Sequence, residues 1–486
     1  MLPGWRELLT PAEPYLVPLL VVLFTRIAVW AVMPLCAEDA YITFRYAQNL
    51  VFGNGLVYNP GERVMGFTSA PWALWNAVGL ELFRHTPEVW ARASSLIADV
   101  ATVLIWGRLL GRHASRAAAW WFNAFFAGWP YFTAVAMSGM ENSAMLALIG
   151  LGAALTARGG VATGPVLALL ALWRPEGLAS AVVLALRARR RDALVALAIA
   201  ALAIARLALY YGSPVPQSVL AKARVYGTPG PLGGRSWWTW LVPFQAGAWP
   251  TIGELSMMLP FIVLMFPAFL RGVAELWRQR STPLAGAVAA GLVVWIGYAL
   301  SGATYFFWYL VVPLGAIAAA SAVGLPHVVR GRLLPVAFAM LVAGAWTIAP
   351  NLYIGRAVSE YFAFNDTGGW LREHAAPGDR VVLEPLGLIG WDAPIHAIDE
   401  VGLVAPWVAE RRTRGAGWYA DVVAASQPRW LVIRRGVRQS GATFAGAGAP
   451  FRGAAERDSL FARFRLETTF APQGDDAALE VWQRVR

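Results

Sequence analysis

The sequence holds one cysteine in 486 residues, Cys36, which excludes an internal disulfide and any cysteine-rich zinc site. Its five histidines are scattered, which argues against a zinc hydrolase. Charged residues make up only 14% of the chain, against roughly 25% in soluble domains. No phosphate-binding P-loop, no glycine-rich dinucleotide fingerprint after a strand and no histidine-rich metal helix appears. Acid is scarcer than base, with 29 Asp and Glu against 40 Lys and Arg and a formal net charge of +11. The arginines cluster between apolar runs, so membrane topology explains the excess better than nucleic acid, and no nucleic-acid partner is expected. Cys36 follows an apolar run, but Met33-Pro34-Leu35 lacks the small residues of a lipoprotein cleavage site and Arg26 interrupts the apolar stretch. A retained signal anchor is expected.

What the chain has in abundance is apolar surface: 58% hydrophobic residues, 24 Trp, 31 Pro and a mean hydropathy of +0.51. Since ~20 apolar residues make one crossing, these values describe a polytopic α-helical membrane protein. Apolar runs centre near 15–35, 90–110, 117–137, 141–157, 161–173, 177–187, 192–211, 252–271, 282–301, 305–325 and 332–350. Placing the clusters Arg108/Arg112/Arg116, Arg187/Arg189/Arg190/Arg191, Arg271/Arg278/Arg280 and Arg330/Arg332 in the cytoplasm predicts about 11 transmembrane helices. The N-terminus then lies inside and the C-terminal tail outside. Residues 70–84 carry an apolar stripe with Trp72 and Trp75 and are expected to lie in the outer interface; residues 40–50 are expected to form a second such helix. Arg26 and Asp99, both within spans, are expected to pair.

The tail differs. Val381–Leu383, Ala397–Ile398, Trp430–Ile433 and Leu479–Trp482 read as short strands between turns, and Trp370–His374 as a helix. The expected organisation is a transmembrane domain over 1–350, with a first external loop at 36–89, and a small C-terminal α/β extracytoplasmic domain over 351–486. The Gly/Ala stretch 441–449 is expected to be a mobile loop. No internal repeat is visible, which argues against a secondary transporter.

Almost every unusual ionisable residue falls on the side assigned as external. Glu38-Asp39-Ala40-Tyr41-Ile42-Thr43-Phe44-Arg45-Tyr46 leaves the first span with two adjacent acids, and Gly53-Asn54-Gly55 and Asn59-Pro60-Gly61-Glu62-Arg63 follow. Ionisable groups at a bilayer boundary more often serve chemistry than packing. Asp39 could instead cap the helix that follows. Further along come Ser138-Gly139-Met140-Glu141, Arg174-Pro175-Glu176-Gly177, Tyr210-Tyr211-Gly212 with Gln217, Ser218, Lys222 and Arg224, and Tyr305-Phe306-Phe307-Trp308-Tyr309. Each has a structural reading of its own: first-turn acid for Glu141, mutual pairing for Arg174 and Glu176, headgroup attraction for Lys222 and Arg224, and an aromatic belt for Tyr305 and Trp308.

Together these segments resemble the GT-C superfamily of integral-membrane glycosyltransferases, most closely its bacterial arabinofuranosyltransferase-like members. The likeness is strong in the first loop, moderate in the later external motifs and weak in the tail, where Asp399-Glu400-Val401-Gly402-Leu403 resembles a family signature whose role is either structural or acceptor binding. Gln217-Ser218 departs from the family's Asn-Thr. The resemblance implies transfer of a sugar, arabinofuranose the first candidate, from a polyprenyl-phosphate donor to a glycan, lipid or protein acceptor on the external face of a bacterial plasma membrane. It implies Asp39 as general base, which suits a poorly nucleophilic sugar hydroxyl, with Glu38 and Glu141 as further acids. Arg45, Arg174, Glu176, Lys222, Arg224, Tyr305 and Trp308 would then bind donor phosphate or sugar. No cofactor is required by the sequence; Asp39 and Glu141 are the pair that could hold a divalent metal, and two carboxylates alone make a weak metal signal. The other class of reading is a non-catalytic or transport protein that handles polyprenyl-linked glycans.

Overall fold

A computed structural model describes residues 13–83, 86–226, 252–301, 306–328, 334–349, 356–439, 444, 446, 448–471 and 478–485. The chain divides into two compact units. One comprises residues 1–34, 88–203 and 237–353; the other comprises 35–87, 204–236 and 354–486. The first loop and the segment after Ile204 thus group with the C-terminal residues and not with the apolar helices.

The first unit is helical. Its elements include Glu13–Val32, Pro87–His113, Arg116–Gly128, Pro130–Ala136, Asn142–Arg158, Thr163–Trp173, Pro175–Ala185, Ile252–Arg278, Pro283–Ser301, Val311–Val328 and Leu334–Ala349. The helix Arg190–Tyr211 continues from this unit into the second. Among the described residues, five helices are long and apolar enough to cross a membrane, and several others are shorter. The apolar run at 117–137 is divided: Pro130 opens a new helix, and Trp129 before it is extended at φ −75° and ψ 123°, as a residue preceding proline prefers. One apolar run therefore becomes two short helices.

Small residues let the helices of this unit approach closely, as they do where no hydrophobic force separates helix from lipid. A Cβ on Gly272 would strike the Ala320 carbonyl, and one on Gly324 the Ala268 carbonyl, so Ile252–Arg278 and Val311–Val328 meet backbone to backbone. Arg26 and Asp99 form the expected buried pair at 2.9 Å. Arg26 also donates to the carbonyls of Ala127 (2.7 Å) and Phe126 (3.2 Å), so its charge is not left uncompensated.

The second unit is built on a five-stranded sheet ordered β2-β1-β3-β5-β4. The strands are β1 (Arg380–Leu383), β2 (His396–Asp399), β3 (Trp430–Arg434), β4 (Phe464–Phe470) and β5 (Leu479–Arg484). β1 pairs in parallel with both β2 and β3, while β5 runs antiparallel to β3 and β4. Four of these strands coincide with the runs read in the sequence; β4 does not. The parallel connections pass through helices Leu386–Asp392, Pro406–Arg412 and Trp418–Ser426. A core of Val382, Val408, Tyr419, Leu431, Phe451 and their neighbours fills one face. The helix containing Trp370–His374 runs from Arg356, and much of the 441–449 stretch lies outside the described residues.

The first loop forms helices Glu38–Val51 and Ala70–Phe83, close to the two helices expected. On the latter, Leu74, Trp75, Val78, Leu82 and Phe83 are exposed. The former is anchored to the sheet domain from its buried side. Arg45 donates to the carbonyls of Gly390, Ala393 (2.9 Å) and Ile395 (3.1 Å), and Asn59 exchanges bonds with Ala397 at 2.9 and 3.0 Å.

Candidate active site

The break after the first apolar helix releases the chain into Glu38–Val51, whose first turn carries Glu38 and Asp39. Unpaired N–H groups there favour negative charge. Ala37 holds the N-cap position and no side chain caps the helix, so Asp39 does not serve the capping role that its sequence allowed. Its side chain is 28% exposed and lies 3.6 Å from the Lys222 ammonium. Lys222 belongs to helix Gln217–Val225. Gln217 fixes that helix: its backbone N–H donates to the Met65 carbonyl and its side chain to the Gly402 carbonyl, each at 2.8 Å.

Glu38 accepts a hydrogen bond from the Gly387 N–H. A Cβ at residue 387 would collide with the Glu38 backbone, so only glycine permits this approach. Burial pushes the Glu38 carboxyl well above the usual range, and the neighbouring charges of Asp39 and Glu384 push it further. Arg224, on the same helix as Lys222, lies 3.8 Å from Glu410 with both side chains exposed. Tyr226 stands within electrostatic reach of Lys222, Glu384, Asp39 and Arg412, and burial raises its hydroxyl above the usual range.

A second constellation belongs to the first unit. Arg174 sits extended between Thr163–Trp173 and Pro175–Ala185 and is buried. Its guanidinium bonds Glu141 through Nη1 and Glu176 through Nε, and lies 5.3 Å from the Tyr309 ring centroid. Trp173 donates to the Glu141 carbonyl at 2.8 Å, and Asn142 to the Trp308 carbonyl at 3.0 Å. One cation between a buried acid, Glu141, and a partly buried one, Glu176, is a compensated set that fixes the two turns.

Comparison with known structures turns on the whole chain. ArnT from Cupriavidus metallidurans bound to undecaprenyl phosphate aligns over 97% of this chain and 98% of its own, with a TM-score of 0.56 at 12% identity. The chain has the GT-C fold. The archaeal oligosaccharyltransferase AglB from Archaeoglobus fulgidus, in complex with an inhibitory peptide and a dolichol-phosphate, aligns over 97% of this chain and 74% of its own, with a TM-score of 0.54 at 12% identity. A family model described as a domain of unknown function, DUF8728, matches residues 354–482. No curated protein matches the sequence.

On this GT-C fold the residues singled out in the sequence separate into groups. Glu38, Asp39 and Lys222 come together in the second unit, with Arg224 two residues beyond Lys222 on the same helix. Glu141, Arg174 and Glu176 come together in the first, near Tyr309 and Trp308. Tyr305 lies outside the described residues. Arg45, expected beside a phosphate, is buried and spends its donors on backbone carbonyls, which corrects that expectation to a structural tie. Asp39 and Glu141, the expected metal pair, belong to different units. Among the described residues no group of three or more His, Cys, Asp or Glu is gathered for a metal. Sequence reasoning missed Glu384 and Arg434, paired at 2.8 Å. The available signal was position, since each stands at the end of a strand.

Proposed function

We propose that the chain is a polyprenyl-phosphate-dependent glycosyltransferase acting at the external face of the plasma membrane. What carries the reading is the Asp39–Lys222 pair beside Glu38, which accepts from the Gly387 N–H, on a fold shared with ArnT from Cupriavidus metallidurans bound to undecaprenyl phosphate. Asp39 takes the proton of an acceptor hydroxyl as that oxygen attacks the anomeric carbon. The bond from that carbon to the phosphate oxygen breaks, and the lipid phosphate leaves with the electron pair. Lys222, with Arg224 on the same helix, meets that leaving charge; the planar Arg174 is occupied by two acids and sets the Glu141 and Glu176 turns. A positioned base contributes typically 10²–10⁴-fold. A pentofuranose is the first candidate sugar, from the first-loop likeness, and the acceptor is a glycan, lipid or protein.

The test is transfer by the purified chain in nanodiscs, with labelled polyprenyl-phosphate sugars and nucleotide sugars offered in parallel. Transfer from the lipid phosphate alone is expected. Use of the nucleotide sugar, or lipid translocation without transfer, refutes the assignment.

A further inference from the structure

The sheet of the second unit places chemistry where α/β proteins place ligands. In open α/β sheets the ligand crevice lies outside the carboxyl ends of the parallel strands, at the point where the strand order reverses. Here β1 is followed by β2 on one side and β3 on the other, so the reversal falls between β1 and β3. Glu384 follows β1 directly, Glu400 follows β2, and Arg434 ends β3. Three neighbouring strand ends therefore carry ionisable groups in one row. The first-loop acids face the same end, since Glu38 bonds Gly387, three residues beyond Glu384.

The row is short of hydrogen-bond donors. Arg434 is taken by Glu384 at 2.8 Å. Arg412 donates to the Glu400 carbonyl at 2.8 Å and lies 4.0 Å from the Trp418 ring centroid. Glu384 is 27% exposed. Glu400 is only 4% exposed, and its Oε1 has no hydrogen-bond partner among the described residues. The Tyr419 hydroxyl, within electrostatic reach of Glu400, is also unpartnered. A buried polar atom without a partner costs free energy that a ligand can recover. Neutral ligands rich in hydroxyls supply the missing donors, whereas an anion brings more acceptors.

We infer that the carboxyl ends of β1, β2 and β3 form a subsite for a neutral sugar of the acceptor, held by Glu384 and Glu400 beside Asp39. The role as acceptor subsite rests on the transferase reading above; the binding of a neutral sugar does not. Burial and the charge of Glu384 push Glu400 up to about 8 against the pull of Arg412 and Arg434, so at neutral pH it can also donate to a sugar oxygen.

The test titrates methyl furanosides and methyl pyranosides of neutral sugars onto the full chain in nanodiscs by saturation-transfer NMR, with glucose 1-phosphate as the anionic control. At least one neutral glycoside is expected to bind in preference to the phosphate ester. Glu384→Ala should weaken it by about tenfold or more, the scale of a hydrogen bond to a charged group, and Glu400→Leu by about fivefold, the scale of a hydrogen bond to a neutral one. Should the buried Glu400→Leu change unfold the chain, the half-open Glu384→Ala change decides alone. No glycoside binding, stronger binding of glucose 1-phosphate, or glycoside binding indifferent to Glu384→Ala overturns the subsite. Glycoside binding that obeys these variants in a chain inert toward lipid-phosphate sugars supports the subsite and sinks the transferase reading.

Discussion

Replacing Asp39 by Asn separates a catalytic from a structural role by comparing two magnitudes. The structural loss is small. Asp39 meets Lys222 at 3.6 Å with both side chains partly open to solvent, a pair worth about 0.2–1 kcal/mol. Its charge at the first helical turn adds about 0.3–1 kcal/mol. The fold should therefore lose no more than about 2 kcal/mol. Loss of a general base costs 10²–10⁴-fold in rate, or about 2.7–5.5 kcal/mol in the barrier. Burial holds the Glu38 carboxyl up first and the Asp39 charge second, so the substitution should let Glu38 ionise somewhat more readily. The assay is single-turnover transfer from a polyprenyl-phosphate sugar, alongside thermal unfolding of the same preparation. Turnover within threefold of the parent refutes the assignment. A rate loss matched by an equal loss of stability makes Asp39 structural.

Arg174→Leu leaves Glu141 and Glu176 facing each other's charge without their shared cation, and about 3–5 kcal/mol of stability should be lost; unfolding within 1 kcal/mol of the parent, a small fraction of that, contradicts the compensated set. Glu400 holds its proton up to about 8 against an ordinary 4.5, so between those values the folded chain binds more protons than the unfolded one. Its stability contribution is full below 4.5 and is lost as pH rises through 8. Thermal unfolding from pH 6 to 9 should fall for the parent and stay flatter for Glu400→Gln, and equal slopes rule this out. Single cysteines at Ala376 or Ala454, in a Cys36→Ser background, should react in intact cells with a membrane-impermeant thiol reagent, and cysteines at Arg190 or Arg278 should not. The opposite pattern inverts the topology and removes Asp39 from the external face.

Local features were legible in the sequence and long-range ones were not. The strand at Trp430–Ile433 and the Arg26–Asp99 pair follow from a short continuous apolar run and from the cost of burying a lone charge. The break at Pro130 was also readable, because the residue before a proline leaves the helical region; the apolar run concealed it. Arg45 was misread since its acceptors are backbone carbonyls some 345–350 residues away, and a carbonyl has no signature in sequence. Glu384 was overlooked for a related reason. Its importance comes from the parallel register of Leu383 with Asp399 and with Val432, and strand order cannot be read from periodicity. Arg174 shows the converse case. Both of its readings, pairing and phosphate binding, used the same charge, and only three-dimensional proximity to Glu141 separates them.

The tie between Arg45 and the carbonyls of Gly390, Ala393 and Ile395 bears on how the protein is made. At about 5–20 residues per second, the ribosome needs on the order of 20–70 s to travel from Asp39 to the segment that secures it. Throughout that interval a nascent chain can insert its helices while its first loop has no sheet to rest on. Glu38 and Asp39, made early, are thus among the last side chains to be placed. A prematurely terminated product therefore lacks the carbonyls to which Arg45 ties the first loop.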